Sequence, residues 1–441
     1  MSKYVPTVWL SLSLLFFAPH SARADAVTTW NANAGAAAIA ACISPVELAN
    51  PLHESRLYAI VHVATHDALN AIDRRFHPYV FRGRVYPWAS PDAAVASAAR
   101  NTLITLIDQL PVPDACRLSG RASVETAYTS ALASIPDGPA KTQGIAIGAA
   151  AAATILALRA NDGSDTPLLV TDYPQGTRPG EYRFTPGNDF VFAPGWANVT
   201  PFVLRDASQF RPGPPYNVRS RKYAEDLEEI KLLGGDNVIT PSNRTPAETE
   251  IGLFWIESSP LQWNRIARTV TASRGLDAWE NARLFGLLNM ALADGYIGSW
   301  EAKFHYYFWR PVTAIREADA DGNPRTSGDP TWTPLQPTYA QPDYPAAHAV
   351  QGGAAAEVLA RVFGTDDITF EACSMSLPAG SNCTDASPVL HPFSSFSEAA
   401  NENAHSRILI GIHFRDAVET GTRHGRRIGG RAVTRFLQPV H

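Results

Sequence analysis

Charged residues are scarce in this chain of 441 residues: they make up 18% of the sequence, and the formal net charge is −5. Such a balance does not favour a nucleic-acid partner or an acidic lipid surface. Runs in which β-branched and polar residues alternate are also few, so the sequence predicts an all-α fold. Short internal repeats and low-complexity tracts are absent too, so a repeat architecture is not indicated.

Long hydrophobic runs are lacking beyond the N-terminus. The best candidate for a membrane span is residues 144–158 (GIAIGAAAAATILAL), in which alanine is the commonest residue. This stretch is shorter than the roughly 20 residues that a spanning helix needs. We therefore predict a tightly packed interior helix there and no membrane association of the mature protein.

Cysteine is rare, with four residues in the whole chain. Cys373 and Cys383 flank a Pro/Gly/Ser-rich loop, and their spacing is unlike that of a zinc site. An even count in an exported chain favours disulfides. We predict a bridge between Cys373 and Cys383, and by elimination a second one between Cys42 and Cys116.

The first 24 residues have the layout of a secretory signal peptide. Lys3 supplies a positive start, residues 8–18 (VWLSLSLLFFA) form an apolar stretch, and Ala22-Arg23-Ala24 offers small residues at the two positions read by signal peptidase. We predict cleavage before Asp25 and a secreted or periplasmic protein. The alternative is an N-terminal anchor, although the apolar stretch is short for a span.

The mature chain divides by composition into three segments. Helical periodicity in residues 54–74, 93–110, 124–135 and 142–160 predicts an N-terminal helical bundle over residues 25–161. Residues 162–245 form a long irregular segment rich in Pro, Gly and aromatic residues, with one predicted helix near residues 220–233. Helical periodicity then resumes and predicts a C-terminal bundle over residues 246–441, interrupted by loops at 318–344 and 373–396.

The first candidate motif in the C-terminal bundle is a lysine, Lys303, seven residues before the pair Arg310-Pro311. On one helix, positions i and i+7 share a face and lie about 10.5 Å apart. The two long side chains can therefore converge on one anion, with Arg310 at the helix end because Pro311 cannot extend it. Taken alone, a surface pair is the simpler interpretation.

The second motif is Tyr344-Pro345-Ala346-Ala347-His348, which opens a predicted helix over residues 349–363. Its first N–H groups, those of Ala346, Ala347 and His348, then point out of the positive end of the helix dipole. Such a terminus binds anions without any side-chain donor. His348 adds a proton donor, although an isolated histidine here is more often a capping or core residue.

The third motif is Ser406-Arg407, followed by Gly411 and His413. Ser395 and Glu398 form a capping-box pattern, which predicts a helix from Phe396. Six residues of unbroken helix separate two side chains by about 120°. Arg407 and His413 therefore meet at one site only if the helix breaks, and Gly411 permits that break.

Together, the order and spacing of the three motifs resemble the signature of the vanadium haloperoxidase and type-2 phosphatidic acid phosphatase superfamily. Further stretches resemble its bacterial vanadium-dependent haloperoxidase branch: residues 59–72 (AIVHVATHDALNAI), 158–165 (LRANDGSD), 300–303 (WEAK), 309–316 (WRPVTAIR) and 411–415 (GIHFR). The resemblance covers essentially the whole mature chain, whereas phosphatase members are usually much shorter. It implies two fused helical bundles with the active site in the C-terminal one.

The resemblance also implies a role for each matching residue. Lys303, Arg310 and Arg407 match the cations that hold the non-bridging oxygens of vanadate or phosphate. His413 matches the vanadium ligand of the haloperoxidases, which in phosphatases is the phosphorylated nucleophile, and His348 matches the acid/base histidine. Three fixed cations suit a dianion, and two opposed histidines suit a trigonal-bipyramidal centre.

Two departures from the family pattern bear on activity. Where the family has Pro-Ser-Gly-His, Ala346 and Ala347 stand between Pro345 and His348, so a hydroxyl donor to the oxyanion is lost at a cost of about 1–3 kcal/mol. Phosphatases carry an aspartate four residues after the last histidine, whereas Asp416 comes three after His413. This displacement argues mildly against a phosphatase, because a carboxylate normally orients that histidine.

The leading hypothesis is therefore an exported vanadate-dependent haloperoxidase, which uses hydrogen peroxide to oxidise a halide in the presence of a small organic substrate. In that case Lys303 polarises the peroxide and is catalytic together with His348 and His413. The alternatives are an exported acid phosphatase with a phosphohistidine intermediate, and a phosphate-binding protein in which Ala346 marks lost catalysis. Gln341, where the family carries an aromatic residue or histidine, leaves the halide open, and the oligomeric state is not predicted.

Overall fold

The computed structural model describes residues 25–44 and 50–440. The predicted signal peptide, residues 1–24, lies outside the described residues. The chain is 54% helix and 4% strand, which confirms the all-α fold. The described helices are α1 (Ala26–Ala40), α2 (Pro51–Asn70), α3 (Pro91–Asp108), α4 (Asp114–Ala133), α5 (Pro139–Leu158), α6 (Arg221–Leu233), α7 (Pro246–Phe254), α8 (Ser259–Thr271), α9 (Ala278–Tyr306), α10 (Pro311–Arg316), α11 (Ala347–Phe363), α12 (Phe396–Leu409) and α13 (Arg415–Arg435). The described strands are β1 (Leu169–Val170), β2 (Val191–Phe192), β3 (Phe370–Ala372) and β4 (His391–Phe393).

Short polar residues begin many of these helices. The side chains of Asn50, Ser90, Ser220 and Thr245 each accept a bond from a backbone N–H in the first helical turn. Such caps satisfy N–H groups that have no partner within the helix. Ser395 caps α12 as predicted, although the carboxylate that should complete its capping box bonds to the backbone of the preceding residue instead.

Helices α1–α5 form the N-terminal bundle. The prediction of a tightly packed interior helix was wrong in part for α5, which is buried along one face while Ala146, Ala150 and Ala153 on the other are exposed. By length and composition α5 is the one described helix apolar enough to cross a membrane. Its buried face lies so close to α3 that a Cβ at Gly148 would collide with the carbonyl oxygen of Ala94. That close approach explains why the helix is built from glycine and alanine.

Helices α7–α13 form the C-terminal bundle, in which α11 packs along α13, α12 and α9. Helix α9 is 29 residues long and buried along most of its length, because it also packs against α2 of the N-terminal bundle. One hydrophobic core runs through both bundles, from Val27 to Leu437. The domain boundaries at residues 161/162 and 245/246 therefore stay a prediction from composition.

The irregular segment 162–245 contains α6, which confirms the predicted helix, and the antiparallel pair β1–β2, in which Leu169 lies opposite Phe192. Both predicted disulfides are present: Cys373–Cys383 closes the loop between β3 and β4, and Cys42–Cys116 links the end of α1 to α4. Leu168, Phe190 and Phe192 of the irregular segment line the same cavity as His348 and His413.

Candidate active site

Lys303 and Arg310 reach the site from two different elements. Helix α9 ends at Tyr306, and Tyr307 takes a left-handed conformation with φ 54°. Arg310 is the N-cap residue of α10, so the prediction that both cations lie on one helical face was wrong. Both are nevertheless fully buried, with 0% exposure. The reversal after α9, rather than a shared helix face, turns the second cation back towards the first.

Backbone carbonyl groups hold these two cations in place. The Nζ of Lys303 donates to the carbonyls of Pro342 (2.7 Å) and Asp343 (2.9 Å). Arg310 donates from Nε to the carbonyl of Gln341 (2.6 Å) and from Nη1 to that of Ile412 (2.8 Å). Because Lys has three N–H bonds and Arg five, each side chain keeps donors for a further acceptor.

Arg407 and His413 are brought together by a break between α12 and α13. Helix α12 ends at Leu409, and Gly411 adopts φ 81°, a left-handed conformation that favours glycine. A Cβ at Gly411 would also strike the backbone of Gly234. The predicted break at Gly411 is thus confirmed, and it places His413 within 3.1 Å (Nε2 to Nη1) of Arg310.

Arg407 lies in the last turn of α12 and is fully buried. Its Nη2 donates to the carbonyl of Trp255 (2.6 Å), and its Nε donates to the hydroxyl of Ser406 (3.0 Å). These bonds leave Nη1, which is buried and has no hydrogen-bond partner within the described residues. The guanidinium group is therefore fixed on one side and free to donate on the other.

The N-terminus of α11 supplies backbone donors, although fewer than predicted. Ala346 is the N-cap residue, and its N–H donates to the carbonyl of Ala417 (2.9 Å), so it is not available to an anion. This corrects the prediction that Ala346 contributes a free N–H group. Ala347 and His348 occupy the first turn, where backbone N–H groups have no acceptor within the helix. The dipole of α11 thus still places positive charge at the site.

The five predicted side chains lie close enough to one another to interact electrostatically. The charges of Arg310, Lys303, Arg407 and His348 all act on the His413 ring, and those of Arg407, Lys303 and Arg310 act on His348. Among residues 25–44 and 50–440, the buried Nη2 of Arg310 and Nε2 of His348 find no hydrogen-bond partner, as was seen for Nη1 of Arg407. The unpaired buried donors of Arg310 and Arg407 are suited to an oxyanion such as vanadate or phosphate, whereas Nε2 of His348 donates or accepts according to its tautomer.

The electrostatics of the site favour a neutral imidazole and a bound anion. Burial, followed by the neighbouring Arg310, holds the pKa of His413 well below its usual range. Burial and Arg310 likewise hold the pKa of Lys303 well below normal, and burial lowers the pKa of Arg407 to about 10. Burial is the largest cause of all three shifts, and neighbouring cations add to it at His413 and Lys303, where a bound dianion would offset their repulsion.

Asp343 is a site residue that the motifs did not reveal. Its Oδ1 lies 2.8 Å from Nδ1 of His413, and its side chain is fully buried. Burial raises the pKa of Asp343 to about 7, while Arg310 and Lys303 act in the opposite direction and favour the carboxylate. An ionised Asp343 accepts the Nδ1 proton, so that the lone pair of His413 is on Nε2, facing Arg310.

Asp343 also explains how His413 is oriented although Asp416 does not occupy the family position four residues after it. The Asp416 carboxylate accepts from the backbone N–H of Tyr216 and so does not orient His413. The orienting carboxylate comes instead from the loop before α11, two residues ahead of Pro345. The signal in the sequence was an acidic residue directly before the second motif, in a chain with few charges.

The residues 283–441 match the family model described as the VCPO second helical-bundle domain. The match is confined to this part of the chain, which carries all of the predicted site residues. The resemblance to the vanadium haloperoxidases that the three motifs indicated is confirmed.

Individual relatives agree with this assignment. The chain is 27% identical to vanadium chloroperoxidase of Curvularia inaequalis over 51% of its own length, and it spans only 45% of that relative. A bacterial vanadium-dependent iodoperoxidase superposes with a TM-score of 0.73 at 23% identity, covering 94% of this chain and 97% of that one. A holo-type bacterial vanadium-dependent chloroperoxidase superposes with a TM-score of 0.68 at 17% identity, covering 94% and 98%. The chain thus has the fold of the bacterial vanadium haloperoxidases along nearly its whole length.

Proposed function

We propose that this protein is an exported vanadate-dependent haloperoxidase that uses hydrogen peroxide to oxidise a halide. The observation that carries the proposal is the pairing of a neutral His413, oriented by Asp343, with three buried cations that retain unpaired donors. When bound, vanadate would supply Lewis-acid activation of hydrogen peroxide towards halide attack. The residues present fit that cofactor.

The proposed roles follow from the contacts of each side chain. His413 offers the Nε2 lone pair as the metal ligand, because Asp343 keeps the proton on Nδ1. Arg310 and Arg407 each have one unpaired amino group that would bind the oxygens of the anion, and Lys303 has one N–H left after its two carbonyl bonds. These donors are held by backbone carbonyls, so they need not reorganise as charge develops during the reaction.

His348 is placed to move a proton. Burial, then Arg407, holds the pKa of His348 well below its usual range, whereas the backbone carbonyl of Glu257 acts to raise it. Its ring is therefore mainly neutral near neutral pH, and its side chain lines the same cavity as that of His413. We assign to His348 the uptake of a proton from hydrogen peroxide and its later return to the departing oxygen.

Export is part of the proposal and rests on residues 1–24. Two disulfides support it, since such bonds persist mainly in oxidising compartments. The organic substrate and the halide are likewise proposed by similarity, because the relatives above are named as chloroperoxidases and an iodoperoxidase.

A second candidate function is an exported acid phosphatase, and the Asp343–His413 pair specifically favours it. The missing aspartate after His413 argued against a phosphorylated histidine, and Asp343 removes that objection by orienting the ring from another loop. In this case His413 Nε2 attacks phosphorus, and His348 protonates the leaving alcohol.

The two functions are separated by assaying the mature protein in parallel. We expect bromide or iodide oxidation by hydrogen peroxide that depends on added vanadate, and little hydrolysis of p-nitrophenyl phosphate. The control is His413→Ala, which should lose both activities. Hydrolysis without halide oxidation, together with an acid-labile phosphoenzyme that His413→Ala abolishes, would establish the phosphatase instead.

A further inference from the structure

A cavity of about 590 Å³ opens directly from the ring edges of His348 and His413. Its described walls come from both bundles and from the irregular segment, and they are mainly apolar. Side chains that line it away from the oxyanion site include Val112, Leu168, Leu169, Phe190, Phe192 and Tyr339. Hydrogen peroxide and halide ions are small and strongly hydrated, so they do not require apolar walls of this extent. The volume and lining are those of pockets that bind organic molecules.

Some of the polar groups on these walls are already engaged. The Asn188 amide nitrogen donates to the Thr185 hydroxyl (2.9 Å) and to the carbonyl of Thr338 (3.0 Å), and the Ser258 hydroxyl donates to Glu54. The buried hydroxyls of Tyr296 and Thr338 and the buried Oε1 of Gln341 have no hydrogen-bond partner among the described residues. Of these three, only Oε1 of Gln341 is restricted to accepting a hydrogen bond. A buried acceptor without a donor is costly, and a ligand that donates to it would remove that cost.

The position of Gln341 connects this acceptor with the oxyanion site. Its backbone carbonyl accepts from Arg310, while its side chain lines the cavity. Gln341 is 8% exposed, so a donor can reach Oε1 only from inside the cavity. The cavity therefore combines apolar and aromatic walls with a buried group beside the reacting centre that can only accept a hydrogen bond.

We propose that this cavity binds a hydroxylated aromatic compound, a phenol or naphthol, as the organic substrate. Its ring packs against the wall formed by Phe190, Phe192 and Leu169, and its hydroxyl donates to Oε1 of Gln341. The inference rests on the proposed function for its chemistry, although binding itself does not require it. A phenol also suits an electrophilic halogen, because its ring carbons are electron-rich.

Halogen transfer to the bound phenol begins with oxidation of the halide. Halide and hydrogen peroxide, with one proton, give hypohalous acid and water, so the halide is oxidised by two electrons and the peroxide O–O bond is reduced. A ring carbon of the bound phenol then attacks the halogen. The C–X bond forms, the O–X bond breaks, and the ring proton joins the released hydroxide as water.

Binding is tested by calorimetry on the mature protein without vanadate or peroxide, with β-naphthol and its methyl ether as probes. We expect β-naphthol to bind about fivefold or more tightly than the ether, which lacks the donor, as one neutral hydrogen bond provides. Gln341→Leu should abolish that difference. Equal affinity for the two probes in the wild type would overturn the assignment of Gln341.

A matched pair of variants tests the location of the site. Leu169 lies on the cavity wall and is 60% exposed, whereas Leu118 on α4 is 66% exposed and does not line the cavity. We expect Leu169→Asp to weaken binding of both probes about tenfold, because a carboxylate on an apolar wall must be desolvated by the ligand. Leu118→Asp should bind as the wild type does. If both variants bind equally, the cavity is not the site.

Product analysis separates this inference from the proposed function. With bromide, hydrogen peroxide and vanadate, the wild type should give an ortho-to-para ratio of bromophenols different from that of free hypobromous acid, and Leu169→Asp should return the ratio towards the free reagent. A ratio identical to that of the free reagent, despite active bromide oxidation, would overturn the inference. Naphthol binding that depends on Gln341, without any halide oxidation, would refute the proposed function and leave the aromatic site established.

Discussion

The bond between Asp343 and His413 provides the sharpest prediction for the oxyanion site. In Asp343→Asn the side chain keeps its size, but its charge is lost and it can no longer enforce a proton on Nδ1. Both partners are almost completely buried and joined at 2.8 Å, so water does not replace the lost interaction. A hydrogen bond to a charged group contributes about 1.5–3 kcal/mol, which corresponds to roughly 10–100-fold in affinity.

Two effects of this substitution oppose each other. Removal of a negative charge beside Lys303 and Arg310 favours the binding of any anion. Loss of the correct His413 tautomer weakens the binding only of a ligand that bonds to Nε2. We therefore expect Asp343→Asn to weaken vanadate about 10–100-fold while phosphate, held by the cations alone, binds at least as tightly as in the wild type. The wild-type and variant affinities for both anions are measured by isothermal calorimetry.

Asp416→Asn is the matched control, because it makes the same chemical change three residues after His413 in a carboxylate that bonds to the Tyr216 backbone. It should leave both affinities unchanged. Vanadate binding that is unaffected in Asp343→Asn would refute the role given to the pair. Equal weakening of both anions would show that the substitution disrupts the pocket as a whole.

Three further predictions concern the two site histidines, the N-cap residue of α11 and the buried Glu54. His413→Ala should abolish vanadate binding. His348→Ala should retain vanadate binding, because the α11 N–H groups remain, but should lower turnover about 100-fold or more. Calorimetry and steady-state assays distinguish the two variants, and loss of vanadate binding in His348→Ala would contradict the role assigned to His348. Ala346→Ser should raise the free energy of unfolding by about 1 kcal/mol and tighten oxyanion binding. A hydroxyl at this N-cap can accept a hydrogen bond from a backbone N–H in the first turn of α11 and donate one to the anion. Unchanged thermal stability and unchanged oxyanion affinity would argue against this prediction. Burial raises the pKa of Glu54 from an ordinary value near 4.5 to about 8, so the folded state retains a proton that the unfolded state releases. The contribution of Glu54 to the free energy of unfolding should therefore fall by about 1.4 kcal/mol per pH unit between pH 4.5 and about 8, and stay constant above and below that range. It is measured in denaturant titrations as the difference between the pH profiles of the wild type and Glu54→Gln, because other buried carboxyl groups titrate in the same range. An identical pH profile in that variant would show that Glu54 is not the group responsible.

Local chemistry was sufficient to predict much of the fold. The disulfide between Cys373 and Cys383 followed from a short loop, and α6 and α12 followed from periodicity and a capping serine. Helix α1 was missed because alanine and glycine give it no contrast between a buried and an exposed face. The partly exposed face of α5 escaped prediction for the same reason.

The site was predicted as a set of residues more accurately than as a geometry. The break at Gly411 could be inferred because only a reversal brings Arg407 and His413 together. The turn after α9 could not, since Tyr307 takes its left-handed conformation without a glycine to mark it. The contacts of Asp343 and of the Ala346 N–H depend on packing between segments that are distant in sequence, and no spacing rule contains that information.

The central claim is that His413 and the three cations form a vanadate site that oxidises halides. The most direct test is a titration of the mature wild-type protein with vanadate, at saturating hydrogen peroxide and bromide or iodide, with halide oxidation as the readout. We expect activity to rise from near zero, to saturate at one vanadate per chain, to be inhibited competitively by phosphate, and to be absent in His413→Ala. Halide oxidation that is independent of vanadate, or that persists in His413→Ala, would contradict it, as would complete inactivity of a wild-type protein shown by calorimetry to be saturated with vanadate.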